Sequence, residues 1–367
     1  MPQTVSNARP TQPSPKGGVG SRQLSLFEFW PDKLFYAPVA LYWAWLACRH
    51  GGLATLTAAN PRIFTGGLVG ESKSAVLALA GLKARAAIAP WGLFQAGPHG
   101  VGHALSAMQR AGLRFPVVVK PDVGCNGVGV RRVDNEAALA HVVGQFRPGV
   151  KLMVQKLLTE PLEAGVFYVR SPGAARGRIT SLTYKETPFV VGDGQRTLRE
   201  LVMADPRMGL LPHLYLPRWG SQADEILPKG VKKTLVFAGN HCKGAVFRDG
   251  RADITPELEK AMETILGDIP DFHFGRVDLK APSVAALRRG EGLQLIEING
   301  VGSEAIHIWD KNTTLREAYK AQFWHYRQAF LIGRQNRKAG WKSAGAFKML
   351  WAWLHQKRLS AHYPPND

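Results

Sequence analysis

Cysteine is scarce in this chain: three in 367 residues, Cys48, Cys125 and Cys242, with no CxxC spacing among them. An odd, scattered set excludes a disulfide framework and points to a reducing cytoplasm as the compartment. Long apolar runs are also lacking. The best, Leu34 to Cys48, is interrupted by Pro38 and falls short of the about 20 residues a spanning helix needs, so it reads as a buried or interfacial helix. Acids are few, with 28 Asp and Glu against 47 Lys and Arg and a formal charge of +19. That excess suits an acidic partner: a nucleotide, a nucleic acid, an anionic lipid or an anionic substrate. No RNA- or DNA-reading motif accompanies it, which removes sequence-specific nucleic acid from the set. No repeat of solenoid period is visible.

What remains is an ordinary globular composition, 45% hydrophobic and 20% charged. It excludes a largely disordered, collagen-like or multi-span chain and allows two or three folding units. Residues 1–22, rich in Pro, Gly, Ser and Thr, read as a disordered arm without the apolar core of a signal peptide. Residues 23–115 read as mainly helical, with helices near Glu71–Ala80 and Val101–Ala111 and turns at Asn60-Pro61 and Gly66-Gly67. From 116 to 312 short strands and helices intermix. Strands are expected at Phe115–Lys120, Val128–Val133, Lys151–Lys156, Gly165–Val169, Arg178–Tyr184, Lys232–Phe237, His273–Leu279 and Leu293–Ile298. Helices fit Asn135–Gly144, Thr197–Ala204 and Pro256–Leu266. Such mixing predicts an α+β unit rather than a regular alternating parallel sheet. Residues 313–367 return to helix.

Two constellations carry chemistry. A strand ending at Lys120 runs into Gly124-Cys125-Asn126-Gly127-Val128-Gly129. Glycines let backbone N–H groups approach an anion, and the lysine adds a point charge. Neither a Walker loop nor a dinucleotide fingerprint has this spacing, and a tight hairpin turn is the competing reading. The second is Arg276-Val277-Asp278 on one strand and Glu297-Ile298-Asn299 on the next. Period-two alternation puts each polar pair on one face. Antiparallel pairing would gather two carboxylates and an amide oxygen, a hard-oxygen set that suits Mg²⁺ beside nucleotide phosphates. A solvated sheet face is the alternative. Met153 to Leu158, followed by Glu160 and Glu163, is an apolar strand entering a polar bend, able to offer backbone groups to a base and an acid to a ribose. Cys125 and His307 read as a small filler and as a structural or substrate-contacting histidine.

Together, these residues resemble the ATP-grasp superfamily, most of all its D-alanine–D-alanine ligase-like carboxylate-amine ligases. Val191-Gly192-Asp193-Gly194 with Thr197 to Leu201 is similar to a stretch of cyanophycin-synthetase-type members. The resemblance spans roughly residues 70–310. It implies an ATP- and Mg²⁺-dependent ligase, with Mn²⁺ as a substitute ion, that joins a small-molecule carboxylate to an amine through an acyl phosphate. Lys120, and with it Lys73, would hold the nucleotide phosphates, and Gly127, Val128 and Gly129 would close over them. Gln155, Lys156, Leu157 and Leu158 would form the adenine hinge, and Glu163 would bind the ribose. Asp278, Glu297 and Asn299 would hold the metal. Arg276 and Lys185 would face the transferred phosphate. Departures are Gln155 where the hinge usually opens with Glu, Cys125-Asn126 where serines are common, and Gly300-Val301-Gly302-Ser303-Glu304 after the metal strand. The last argues against D-alanine as substrate. The rival reading is a non-catalytic nucleotide-binding or membrane-surface protein that keeps the fold.

Residues 320–367 carry nine Lys or Arg and one acid, Asp367. Phe347, Leu350, Trp351 and Leu354 recur at helical spacing among those charges. The expectation is a helix that packs this stripe on the body and turns its charges to water. Peripheral contact with an anionic membrane is the alternative. The sequence fixes no oligomeric state.

Overall fold

The computed structural model describes residues 23–125, 127–237 and 239–364. The expected arm at 1–22 lies outside them. Helix α1 (Asp32–His50) ends at Gly51, whose left-handed φ of 88° turns the chain away. Helices α2 (Lys73–Ala78) and α3 (Leu82–Ala87) follow, α2 capped by the Ser72 side chain.

The next segment builds a small sheet. It runs through β1 (Trp91–Gln95), α4 (Gly100–Arg110), β2 (Val117–Pro121), β3 (Arg131–Val133), α5 (Glu136–Gly144) and β4 (Lys151–Lys156). The sheet order is β1-β4-β2-β3, antiparallel throughout. Strand β1 falls inside the stretch expected to be mainly helical, and it pairs with β4, which lies beyond residue 116. Its Phe94 joins Val117, Val119, Leu139, Val143, Leu152 and Val154 in one core under α4 and α5, which is what stabilises so short a strand. Strand β3 is shorter than the expected Val128–Val133, because residues 127–130 are used by the turn.

A larger sheet follows. Strands β5 (Leu162–Val169) and β6 (Arg178–Glu186) lead into a ribbon, β7 (Phe189–Val191) with β8 (Lys232–Thr234). Helices α6 (Leu198–Ala204) and α7 (Pro212–Tyr215) lie between the ribbon strands. The chain then adds β9 (Val246–Asp249), α8 (Pro256–Leu266), β10 (Phe274–Ala281), α9 (Val284–Arg289) and β11 (Gln294–Asn299). The order is β11-β10-β5-β6-β9, again antiparallel. The α+β expectation is met. Helices α10 (Leu315–Lys338) and α11 (Ala346–Ser360) close the chain.

Alternation sorts the large sheet into two faces. Val166, Tyr168, Val277 and Leu279 pack on Leu258, Met262 and Leu266 of α8. Phe167, Val169 and Phe274 face the other way, onto Leu46 of α1 and Ala329 and Phe330 of α10. Arg276 and Asp278 share that second face with Phe274, farther along β10.

The tail departs from expectation. Phe347 is 86% exposed, and Leu350, Trp351 and Leu354 stand above half exposed, while Ala352 is the buried side chain of α11. The reason is what the helix lies on. Gly70 approaches α11 so closely that only a small residue, Ala352, fits, and the Gly70 N–H donates to Gln356 Oε1 at 2.6 Å. Contact with backbone selects small and polar groups and leaves the large apolar ones outside. No helix among the described residues is long and apolar enough to cross a membrane.

Candidate active site

Strands β10 and β11 pair with Arg276 opposite Asn299 and Asp278 opposite Glu297. Asp278 accepts from Arg276 Nε at 2.9 Å and stands 3.1 Å from Lys185 Nζ on β6. Burial alone would raise its carboxyl, but the guanidinium and ammonium outweigh it and hold the group at about 2. Lys185 also stands 3.5 Å from Glu163 on β5. A charged row therefore crosses four adjacent strands on one face. Gly165 makes room for it: a Cβ there would sit 3.3 Å from both Arg276 Cδ and Asp278 Oδ1.

The small sheet meets this row through a bulge. Leu279 pairs with Leu295 and Asp278 with Glu297, so Ile296 is skipped and its carbonyl is released from the β10 ladder. Gln155 Nε2 on β4 lies 3.2 Å from that carbonyl and Lys120 Nζ on β2 lies 3.4 Å from it. Lys120 is fully buried, and burial lowers its ammonium to about 8 against the pull of Glu297, Asp278 and Asp122. The Gln155 amide is also 3.4 Å from the Ala89 carbonyl, and the Lys156 N–H donates to Pro90 O. Leu157 is half-buried and Leu158 buried.

The start of α2 joins the two sheets. Lys73 Nζ donates to Gly124 O at 2.7 Å and stands 3.6 Å from Glu297 Oε1. Buried Asp122 accepts from Ser72 Oγ and the Ser74 N–H. The glycine turn winds through positive φ at Gly124, Gly127 and Gly129, with the Val128 N–H on Cys125 O and the Val130 N–H on Gly127 O. Asn126 lies outside the described residues.

Glu71 escaped sequence reasoning, because an acid ahead of a helix reads as an ordinary dipole partner. Here the side chain is half-buried with its Oε2 covered, and desolvation reinforced by neighbouring Glu297 pushes its carboxyl up to about 8. It takes a backbone hydrogen bond from Gly300, and its Oε2 has no hydrogen-bond partner. The turn at Gly66-Gly67 accepts the Val301 and Gly302 N–H groups, so the loop after β11 is docked on it. Glu304 in that loop accepts from Tyr36, Trp309 and Gln322. His307 is structural: buried, hydrogen-bonded to Ser181 Oγ at 2.7 Å, and lowered to about 4 by burial.

No group of three or more His, Cys, Asp and Glu side chains that could hold a metal occurs among the described residues. The site instead offers Asp278 and Glu297 side by side with Asn299, whose buried Nδ2 lacks a partner. Two carboxylates and an amide oxygen are the hard donor types Mg²⁺ prefers, and both Asp278 oxygens here are engaged by Arg276 and Lys185.

No protein-family model and no curated protein matches the chain. Solved structures similar to it include a bifunctional glutathione synthetase from Pasteurella multocida, 19% identical over 68% of this chain and 35% of that one, with a TM-score of 0.35. A VanG D-Ala:D-Ser ligase from Enterococcus faecalis is 14% identical over 75% and 63%, with a TM-score of 0.41. A D-alanine-D-alanine ligase from Coxiella burnetii is 10% identical over 84% and 64%, with a TM-score of 0.40. The matches span less than two thirds of each of these proteins.

Proposed function

We propose that this chain is an ATP-grasp enzyme that spends ATP to join a carboxylate to an amine, releasing ADP and phosphate. One juxtaposition supports the reading: Lys73 links the glycine turn to Glu297, so the anion cradle and the carboxylate pair form a single site. Lys120, Lys73 and the Gly127–Gly129 turn hold the phosphates. Because the Gln155 amide faces backbone carbonyls, base recognition falls to the backbone of Leu157 and Leu158, with Glu163 reaching the ribose. Asp278, Glu297 and Asn299 hold Mg²⁺, which neutralises phosphate charge when bound.

A substrate carboxylate oxygen attacks the γ-phosphorus, the bond to ADP breaks, and ADP departs with its electron pair. Arg276 and Lys185 stabilise the charge on the transferred group and on the acyl phosphate that results. An amine then attacks the acyl carbon, phosphate leaves, and the amine loses a proton. Positioning and charge do this work, with no protein nucleophile needed.

The test is ADP release across a panel of carboxylates and amines, with hydroxylamine present to trap an acyl phosphate. Release that depends on a carboxylate, with hydroxamate forming, is expected. ATP binding without turnover on any pair would favour a non-catalytic nucleotide-binding protein. Glu297→Gln should retain the fold and lose most Mg²⁺-dependent release; normal activity in that variant would remove Glu297 from the metal site.

A further inference from the structure

Helix α11 leaves its largest apolar side chains in solvent. Toward the body it presents Met349, Ala352, Gln356, Leu359 and Ser360, all partly or fully covered. Toward solvent it presents Phe347, Leu350, Trp351 and Leu354, from 53% to 86% exposed. The helix is fastened in this orientation at both ends. Gln356 holds the Gly70 N–H, Lys348 Nζ stands 4.6 Å over the Phe64 ring, and Tyr363 Oη donates to Val123 O at 2.8 Å. Its apolar stripe is thus held outward by the fold. An exposed contiguous stripe of large apolar side chains marks an interaction surface.

Charge decides the occupant. Lys342, Lys357 and Arg358 flank the stripe in sequence, and no acid occurs between residues 318 and 364. A second copy would bring the same uncompensated positive face against this one. An anionic bilayer complements both features, since its headgroups take the lysines and arginine while its acyl boundary takes the apolar side chains. We propose that α11 seats the protein on an anionic phospholipid surface, lying in the interface plane without crossing it.

Co-sedimentation of the full chain with vesicles tests this, comparing phosphatidylglycerol mixed into phosphatidylcholine with phosphatidylcholine alone. Pelleting with the anionic vesicles, released by salt, is expected. Lys357→Ser with Arg358→Ser should weaken it about twenty- to thirtyfold, near fivefold per charge. Phe347→Ser with Trp351→Ser should abolish it while leaving the thermal midpoint in place, because both side chains are already exposed. Three results would overturn the proposal: no pelleting of the wild type, equal binding to phosphatidylcholine alone, or pelleting indifferent to Phe347→Ser with Trp351→Ser. A concentration-dependent dimer in light scattering, lost in that same variant, would instead give the surface to a second copy.

Discussion

Glu71 and Lys120 are the two side chains whose ionisation the site disturbs most usefully. Glu71 has a folded pKa of about 8 against an ordinary 4.5, so the native state binds its proton more firmly between those values. Stability therefore falls as pH climbs from about 5 to about 8, and Glu71→Gln removes that loss. In Mg²⁺-free buffer, the variant's thermal midpoint should exceed wild type by several degrees at the upper end and converge with it at the lower. Parallel curves would show that Glu71 is already ionised. Lys120 shifts the other way, from 10.5 to about 8. Phosphate selects its charged form, so ATP affinity should weaken as pH rises past about 8. Lys120→Met should flatten that profile and cost roughly ten- to hundredfold in affinity, the worth of one charge-assisted contact. Calorimetric titration across pH checks both statements.

At the scale of elements, the site depends on how closely β10 and β11 approach. A Cβ at Gly275 would stand 2.1 Å from the Asn299 carbonyl oxygen, a backbone atom that cannot rotate aside. Gly275→Ala should therefore push β11 away, cost about 1–3 kcal/mol of stability as overpacking does, and lower activity by displacing Glu297 and Asn299. A wild-type denaturation midpoint with full activity would show that the strands yield cheaply. The residues after α11 meet the site through Tyr363, whose hydroxyl donates to Val123 O and whose ring lies 5.8 Å from Phe146. Tyr363→Phe keeps the ring and loses the hydrogen bond. It should loosen the glycine turn and weaken ATP severalfold, with the thermal midpoint shifted by no more than a few degrees.

Across the whole molecule, helices distant in sequence are tied to one another and to the loop after β11. Helix α1 packs on α10 beneath the large sheet, Tyr36 of α1 reaches Glu304 beyond β11, and Ala344 N–H donates to Thr57 Oγ1. Truncation before Ala346 keeps those contacts and removes α11 together with Tyr363 beyond it. Because α11 buries little beyond Ala352, the truncated protein should melt within a few degrees of the full chain. It should bind ATP more weakly, having lost Tyr363, and should no longer pellet with anionic vesicles. A collapse in solubility would mean that the outward stripe is covered within the protein.

Local pattern determined much of this in advance. The β-branched run ending at Lys120, the glycines after it, and the polar pairs at Arg276-Asp278 and Glu297-Asn299 are period-two and turn signals that no distant contact alters. They carried the α+β class and singled out Lys120, Arg276, Asp278, Glu297 and Asn299, which the fold brings near one another. What needed the tertiary structure were features defined by neighbours remote in sequence. Strand β1 is too short to be told from a loop until β4 supplies its edge. Glu71 looks like a helix-start acid until Gly300 and Glu297 stand beside it. The bulge at Ile296 arises from the register between two strands, which neither strand carries alone. The stripe on α11 reads as core from sequence, because helical spacing of apolar residues shows that one face is distinct. It does not show which way that face points; the direction is set by Gly70, whose close approach admits Ala352 and Gln356 and leaves Phe347 and Trp351 to the outside.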